Sequence, residues 1–270
     1  MPSPAAFLQS VKLPVLSEVA HRLIQTLDDP NASVSTVRDV IALDPALTTT
    51  LLRMANSALF GLSRSVNSLD HAVNVVGMSL IRARALSICL SNVFPSAAGL
   101  DRTEFWRSSL ACAGYARHLT ARLGLDEQQA WLTGMMLRLG ALLIGQQDPT
   151  LVEAFERLPR SPGERWARQR SALGFDECQL TGELAQRWDF PVEMVTALNA
   201  GGQPMAVQPF SPLGAVLHLA GLLADGALST PPVVVEPPSE VLARLRLDGQ
   251  TMLAELPEVQ SFIEPPADSA

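Results

Sequence analysis

Histidine is the side chain best suited to metal or proton-transfer chemistry near neutral pH, and this chain has four, at His21, His71, His118 and His218. Ligand pairs on one helix face stand three or four residues apart, and none of these has a His or Cys at that distance. Each therefore reads as a surface histidine or a satisfied core histidine. Cys89, Cys112 and Cys178 are odd in number and outside any CxxC spacing, which argues against a disulfide framework and a thiolate metal knuckle and for reduced core residues. A GxxxxGK[ST] phosphate loop is absent, Lys12 is the only lysine, and no GxSxG occurs. The pairs Asp28/Asp29 and Glu153/Glu156 have the right groups for acid–base work, but carboxylates at helix ends usually act as caps or solvated charge. Asn56 and Ser57 read either as a ligand clamp or as a polar turn that satisfies helix-end carbonyls.

The elements that position these groups are helices, and the expected fold class is all-α. Leu16, Val19, Leu23, Ile24 and Leu27 form a one-face stripe ending at Asp28, Asp29 and Pro30, followed by a helix from about 35 to 43. Asp44 has the geometry of an N-cap, with Pro45 in the first helical position, and that helix should end between Asn56 and Gly61. Ser68 opens a short helix closed by Gly77, and Ser79 opens another to about Val93. Residues 94–102 read as a hinge. Two long helices are then expected, Thr103 to Leu123 and Asp126 to Gly145, with shorter ones at roughly 149–157, 162–173, 176–187, 191–200 and 211–226. Ser229 to Pro238 is Pro-rich and reads as an extended connector, before brief closing helices at 239–245 and 248–256.

Of the 270 residues, 47% are apolar and 17% charged, enough to bury a real core. No apolar run reaches the roughly 20 residues of a membrane span, and residues 1–12 lack the pattern of a signal peptide, so a cytoplasmic protein is expected. A formal net charge of −7 disfavours whole-surface attraction to nucleic acid or anionic lipid. Arg165, Arg168 and Arg170 form a local basic group that reads as a solvated helix face.

One run is specific. DPALTTTLLRMANSALFG, from Asp44 to Gly61, preceded by Leu13-Pro14 and followed by Ser68 to Gly77, resembles the N-terminal signature of the HDOD family. The resemblance continues through Phe105-Trp106-Arg107-Ser108-Ser109, Gly134 to Gly140, Trp188 to Pro191 and Val216 to Ala220, covering about residues 7–256. It implies an HDOD domain at 13–258, with a helical lobe at about 13–95 and an HD-phosphohydrolase-like lobe at about 101–258, between tails at 1–12 and 259–270. In HD-type enzymes, His and Asp side chains hold metal ions that generate a hydroxide nucleophile. Matched motif to motif, those ligands fall on Ser108, Leu137 and Arg138, and near Glu177, Gly201, Gly202 and Gly221, so the resemblance implies that every expected ligand has changed. Only Glu177 suits a hard cation, and Arg138 sets a permanent positive charge where the cation would sit. Asp44, Pro45, Asn56 and Ser57 are family-motif positions with a structural reading.

The resemblance implies a non-catalytic bacterial signalling protein without a cofactor, acting through contact with a partner protein in trans, such as a receiver or cyclic-dinucleotide turnover protein. Neither nucleic acid nor membrane is expected as a partner. The alternative is a sensor that holds a nucleotide or other anion near Arg138; a metal-dependent phosphodiesterase ranks third. Arg138 and Glu177 are expected to form an internal ion pair.

Overall fold

Serine or aspartate side chains cap the start of ten of the helices among the described residues. The computed structural model describes residues 3–29, 31–56, 66–94, 98–158 and 160–263. Among them are seventeen helices and no strand, which makes the fold all-α. No single helix among the described residues is long and apolar enough to cross a membrane.

The chain divides into two units, the smaller formed by Pro14–Phe94 with Trp188–Pro191. It contains α2 (Glu18–Gln25), α3 (Val34–Ala42), α4 (Pro45–Ala55), α5 (Leu69–Val76) and α6 (Met78–Val93). The Leu16 to Ile24 stripe is buried, joined by Ile41, Leu51, Ala72, Ile81 and Leu86. Asp44 caps α4 as expected: its Oδ1 accepts from the backbone N–H groups of Ala46 (2.9 Å) and Leu47 (3.0 Å), with Pro45 at the first position. Ser68 caps α5 in the same way. Gly77 ends α5 at φ +96°, and α6 starts at Met78, one residue before the expected Ser79, because Gly77 serves both helices.

Asn56 is a structural residue. Its Nδ2 donates to the carbonyl oxygens of Leu52 (2.8 Å) and Val66 (2.7 Å), and its Oδ1 accepts from the Val66 N–H at 2.6 Å. One amide thus closes the end of α4 and fixes Val66 beside it, in keeping with the polar-turn reading. Ser57, and the family-motif residues up to 65, lie outside the described residues. So does part of the expected hinge, at 95–97.

The larger unit comprises Met1–Leu13, Pro95–Arg187 and Val192–Ile263. It holds α1 (Pro4–Ser10), α7 (Arg102–Thr120), α8 (Glu127–Met136), α9 (Leu139–Gln147), α10 (Pro149–Glu156), α11 (Glu164–Leu173), α12 (Glu177–Arg187), α13 (Val192–Ala200), α14 (Pro212–Leu228), α15 (Ser239–Leu245), α16 (Gly249–Ala254) and α17 (Gln260–Ile263). Two of these fall where tails were expected. Ser3 caps α1 with Pro4 behind it, Leu8 is buried, and the Phe7 ring meets Phe175 edge-on at 5.5 Å. Phe262 of α17 packs edge-on against Tyr115, 5.0 Å away. A third difference is internal: the single helix expected from Asp126 to Gly145 is broken at Leu137-Arg138. There the Gly140 N–H donates to Thr181 Oγ1 (2.8 Å) on α12, so a neighbouring helix satisfies the backbone donor that the break frees. Gly140 also lets α9 approach α12 closely, because a Cβ there would stand 2.2 Å from the Glu177 carbonyl oxygen. Cys112 and Cys178 are buried here, as Cys89 is in the smaller unit, and all three are free thiols.

Replacing Asn56 by Ala strands both backbone groups of the buried Val66. A loss of about 1–3 kcal/mol in unfolding free energy is expected, measured by urea denaturation.

Candidate functional site

The fold brings the matched positions of the larger unit into one neighbourhood. Ser108 lies on α7, Leu137 and Arg138 at the α8/α9 break, Glu177 at the start of α12, Gly201-Gly202 just past α13, and Gly221 on α14. What fills the space is apolar. Leu137 is buried, and a Cβ on Gly201 would meet its Cδ1 at 2.6 Å; one on Gly221 would meet its Cδ2 at 3.5 Å. The Trp166 indole lies against Gly221, where a Cβ would stand 2.7 Å from Cη2. On Gly202 a Cβ would stand 2.1 Å from the Asp176 carboxylate. The glycines are therefore the counterparts of bulky neighbours and leave no room for ligating side chains at those positions.

Beside this plug lies a buried ionic cluster. Glu177 has no solvent exposure, and its carboxylate accepts from Arg165 Nε (2.9 Å), Trp166 Nε1 (3.3 Å) and Gln169 Nε2 (3.0 Å). Its own N–H donates to Gln169 Oε1 at 2.8 Å. Arg165 reaches Asp225 Oδ1 with its second nitrogen at 2.8 Å, and the Gly163 N–H donates to Asp225 Oδ2 at 3.1 Å. Arg138 pairs principally with Glu156 and has Glu177 within 3.5 Å of its Nε, without a hydrogen bond to it. Arg160 bridges Glu156 (3.3 Å) and Asp225 (3.7 Å). Three guanidinium groups face three carboxylates, and the charges balance.

The expected Arg138–Glu177 contact is thus present as a longer ion pair, while Arg165 is the shorter partner of Glu177. The solvated-face reading of Arg165 is corrected: α11 turns it inward, where it is almost fully buried, while Arg168 pairs with Glu164 and Arg170 with Asp176. Glu156 is likewise a cluster member, not a solvated end, whereas Glu153 is exposed. Arg160, Trp166, Gln169 and Asp225 were not singled out from the sequence, and Glu156 only as a helix-end acid. The periodicity of α11 carried the one available signal, since Gln169 stands four residues from Arg165 and three from Trp166, on one face.

Asp225, Glu156 and Arg165 are each shifted toward the charged form, whereas burial and the neighbouring Arg165 lower Arg160. Burial alone would raise the Asp225 carboxyl, but Arg165, Arg160 and Arg138 outweigh it and keep it below the usual carboxylate range. Glu156 is lowered in the same way, with burial opposing and Arg138, Arg165 and Arg160 prevailing. Arg165 is pushed upward because Asp225, Glu177 and Glu156 overcome its desolvation. His218 faces the other side of the plug, stacked on Trp166 at 5.3 Å with Nδ1 2.8 Å from the Gly201 carbonyl oxygen; burial lowers it below its ordinary value.

These residues do not fit the metal that the HD scaffold implies. Leu137, Gly201, Gly202 and Gly221 offer no ligating side-chain atom, Arg138 repels a cation, and Glu177 is engaged by three donors. Among the described residues, no group of three His, Cys, Asp or Glu side chains is disposed to hold a metal ion.

Fold and site together define an all-helical protein in which the positions matched to metal ligands serve packing and ion pairing. The chain belongs to the HDOD domain family, whose model matches residues 13–204. It is similar in fold to three crystal structures. A candidate phosphohydrolase of Shewanella amazonensis SB2B is 24% identical, with 97% of each chain covered and a TM-score of 0.75. A candidate signal-transduction protein of Marinobacter aquaeolei VT8 is 21% identical, with 97% of this chain and 64% of that one covered and a TM-score of 0.78. An HDOD domain protein of Geobacter sulfurreducens is 20% identical, with 99% and 88% covered and a TM-score of 0.71. A protein of Treponema pallidum (strain Nichols) is 22% identical over 217 residues, covering 78% of this chain. The chain spans 42% of that curated relative's length.

Two outcomes follow from this geometry. Gly221→Ala forces a methyl group against the Trp166 ring, and overpacking of this kind is expected to cost about 1–3 kcal/mol in thermal or chemical unfolding. A carboxyl whose folded pKa is depressed contributes stability above its unfolded pKa and loses it as pH falls through the folded one. Urea midpoints should therefore drop as the pH falls below about 4. Asp225→Asn should lower stability at neutral pH and flatten this acid limb; an acid limb as steep as wild type would contradict the assignment.

Proposed function

We propose that this chain is a non-catalytic regulatory protein of bacterial signal transduction that acts by binding a partner protein. The observation that carries the reading is the exchange at the matched ligand positions, where Leu137 and Trp166 close against Gly201 and Gly221. Hydrolysis of the HD type needs a metal-bound water, and a scaffold whose ligand positions carry leucine and glycine lowers no water pKa. A balanced, buried ion cluster beside the plug suits a rigid platform better than a reaction centre that must accommodate changing charge. The signalling role draws on HDOD membership and on the description of the Marinobacter neighbour.

The partner acts in trans in the cytoplasm; a receiver or cyclic-dinucleotide turnover protein is the class favoured. The whole protein's activity and partners belong to this proposal, since the curated relative extends well beyond the matched region.

Three measurements on the purified protein test it. Metal analysis after manganese or iron loading should give well under one equivalent, and a phosphodiester ester substrate should turn over no faster than in a buffer control. Crosslinking and affinity capture from the source cell should return a signalling protein reproducibly. Stoichiometric metal with turnover would overturn the non-catalytic reading, and capture without a reproducible partner would overturn the interaction reading.

A further inference from the structure

We propose that the cleft beside the ionic cluster is a site for a small, singly charged oxyanion, and that Glu156 is its displaceable internal occupant. The cleft has a volume of about 230 Å³ and is lined by Phe105, Ser108, Arg138, Glu156, Arg160 and Asp225, among others. Two of the matched positions, Ser108 and Arg138, line it, while Leu137, Gly201 and Gly221 of the apolar plug do not. The proposal goes beyond the function above, because it needs neither catalysis nor a protein partner.

The three carboxylates of the cluster are not equivalent. Glu177 is unexposed and held by an arginine, a tryptophan and a glutamine. Asp225 is 5% exposed and takes a backbone N–H as well as Arg165. Glu156 is 20% exposed, ends α10, and is held by side chains alone: Arg138, Arg160 at 3.3 Å and Arg165 at 3.8 Å. A rotation of its side chain into solvent breaks no backbone hydrogen bond.

Its departure leaves three guanidinium groups against two carboxylates, an excess of one positive charge in a mostly buried setting. Such a charge is costly until an anion replaces the one that left, and a single negative charge restores the balance. The donors are ready. Besides the nitrogens that Glu156 releases, the buried Nε of Arg160 has no hydrogen-bond partner among the described residues, while Arg138 Nε faces Glu177 at 3.5 Å. Planar guanidinium forks match a group presenting two oxygens, whether a carboxylate or a phosphodiester. Asp101 and Glu104 also line the cleft and select against a second negative charge on the ligand. Phe105 and Leu228 offer apolar surface to a small substituent.

Calorimetric titration with acetate and with dimethyl phosphate, against chloride at equal ionic strength, tests the site and separates the two oxyanion classes. Glu156→Gln is expected to bind at least one of them tenfold or more tightly than wild type. Adding Arg138→Met, which makes the remaining cluster neutral, is expected to abolish that gain. Equal affinity in wild type and E156Q, no binding in E156Q, or a gain that survives in the double variant would each overturn the proposal. Should E156Q unfold alone, saturable recovery of its melting temperature by the anion is the expected result, and failure to recover it overturns the proposal.

Discussion

A carboxylate with no access to solvent has to be neutralised where it stands, and Glu177 is in that position at the first turn of α12. Arg165 supplies the charge from α11, but a guanidinium is longer than one carboxylate, and its far nitrogen is itself buried. Asp225 on α14 answers it, Arg160 answers Asp225, and Glu156 closes the circuit with Arg138 at the α8/α9 break. One buried charge thereby commits side chains from four helices and two connections. Such a cluster adds little net stability over a well-packed apolar alternative, because desolvation offsets most of the attraction. Its effect is on geometry: each member taken singly leaves an uncompensated charge, so the elements carrying them have one mutual arrangement with all charges satisfied.

The plug next to the cluster follows the same logic in apolar terms. Leu137 and Trp166 are large, and they fit because Gly201 and Gly221 have no side chains. Trp166 joins the two parts, placing its ring against Gly221 while its Nε1 donates to Glu177. A ligand-bearing residue at either glycine would need the ring or Leu137 to move, and a ring that moved would take a donor from Glu177. Packing and charge therefore depend on each other at the matched positions.

The sequence by itself determined the helical class and most helix boundaries, because these depend on neighbours along the chain. A cap such as Asp44 before Pro45, or a glycine such as Gly77 that accepts positive φ, acts within one turn and is legible locally. The same holds for Ser3-Pro4 at the head of α1, a local signal that was present although the segment was expected to be a tail. The HDOD signature was likewise legible in residue identities alone, which need no coordinates.

Only the tertiary structure decided how the matched positions pack and pair. The break at Leu137-Arg138 has no glycine or proline to announce it and depends on Thr181, more than forty residues away in the chain, to accept the freed Gly140 N–H. Arg165 looked like one member of a surface basic group because its sequence neighbours are charged, and Glu156 looked like a helix-end acid. Arg165 is held by Glu177 and Asp225, and Glu156 by Arg138, Arg160 and Arg165, partners that meet only when α10, α11, α12 and α14 pack together. Charge pairing is a property of distance in space, and a sequence records distance only along the chain.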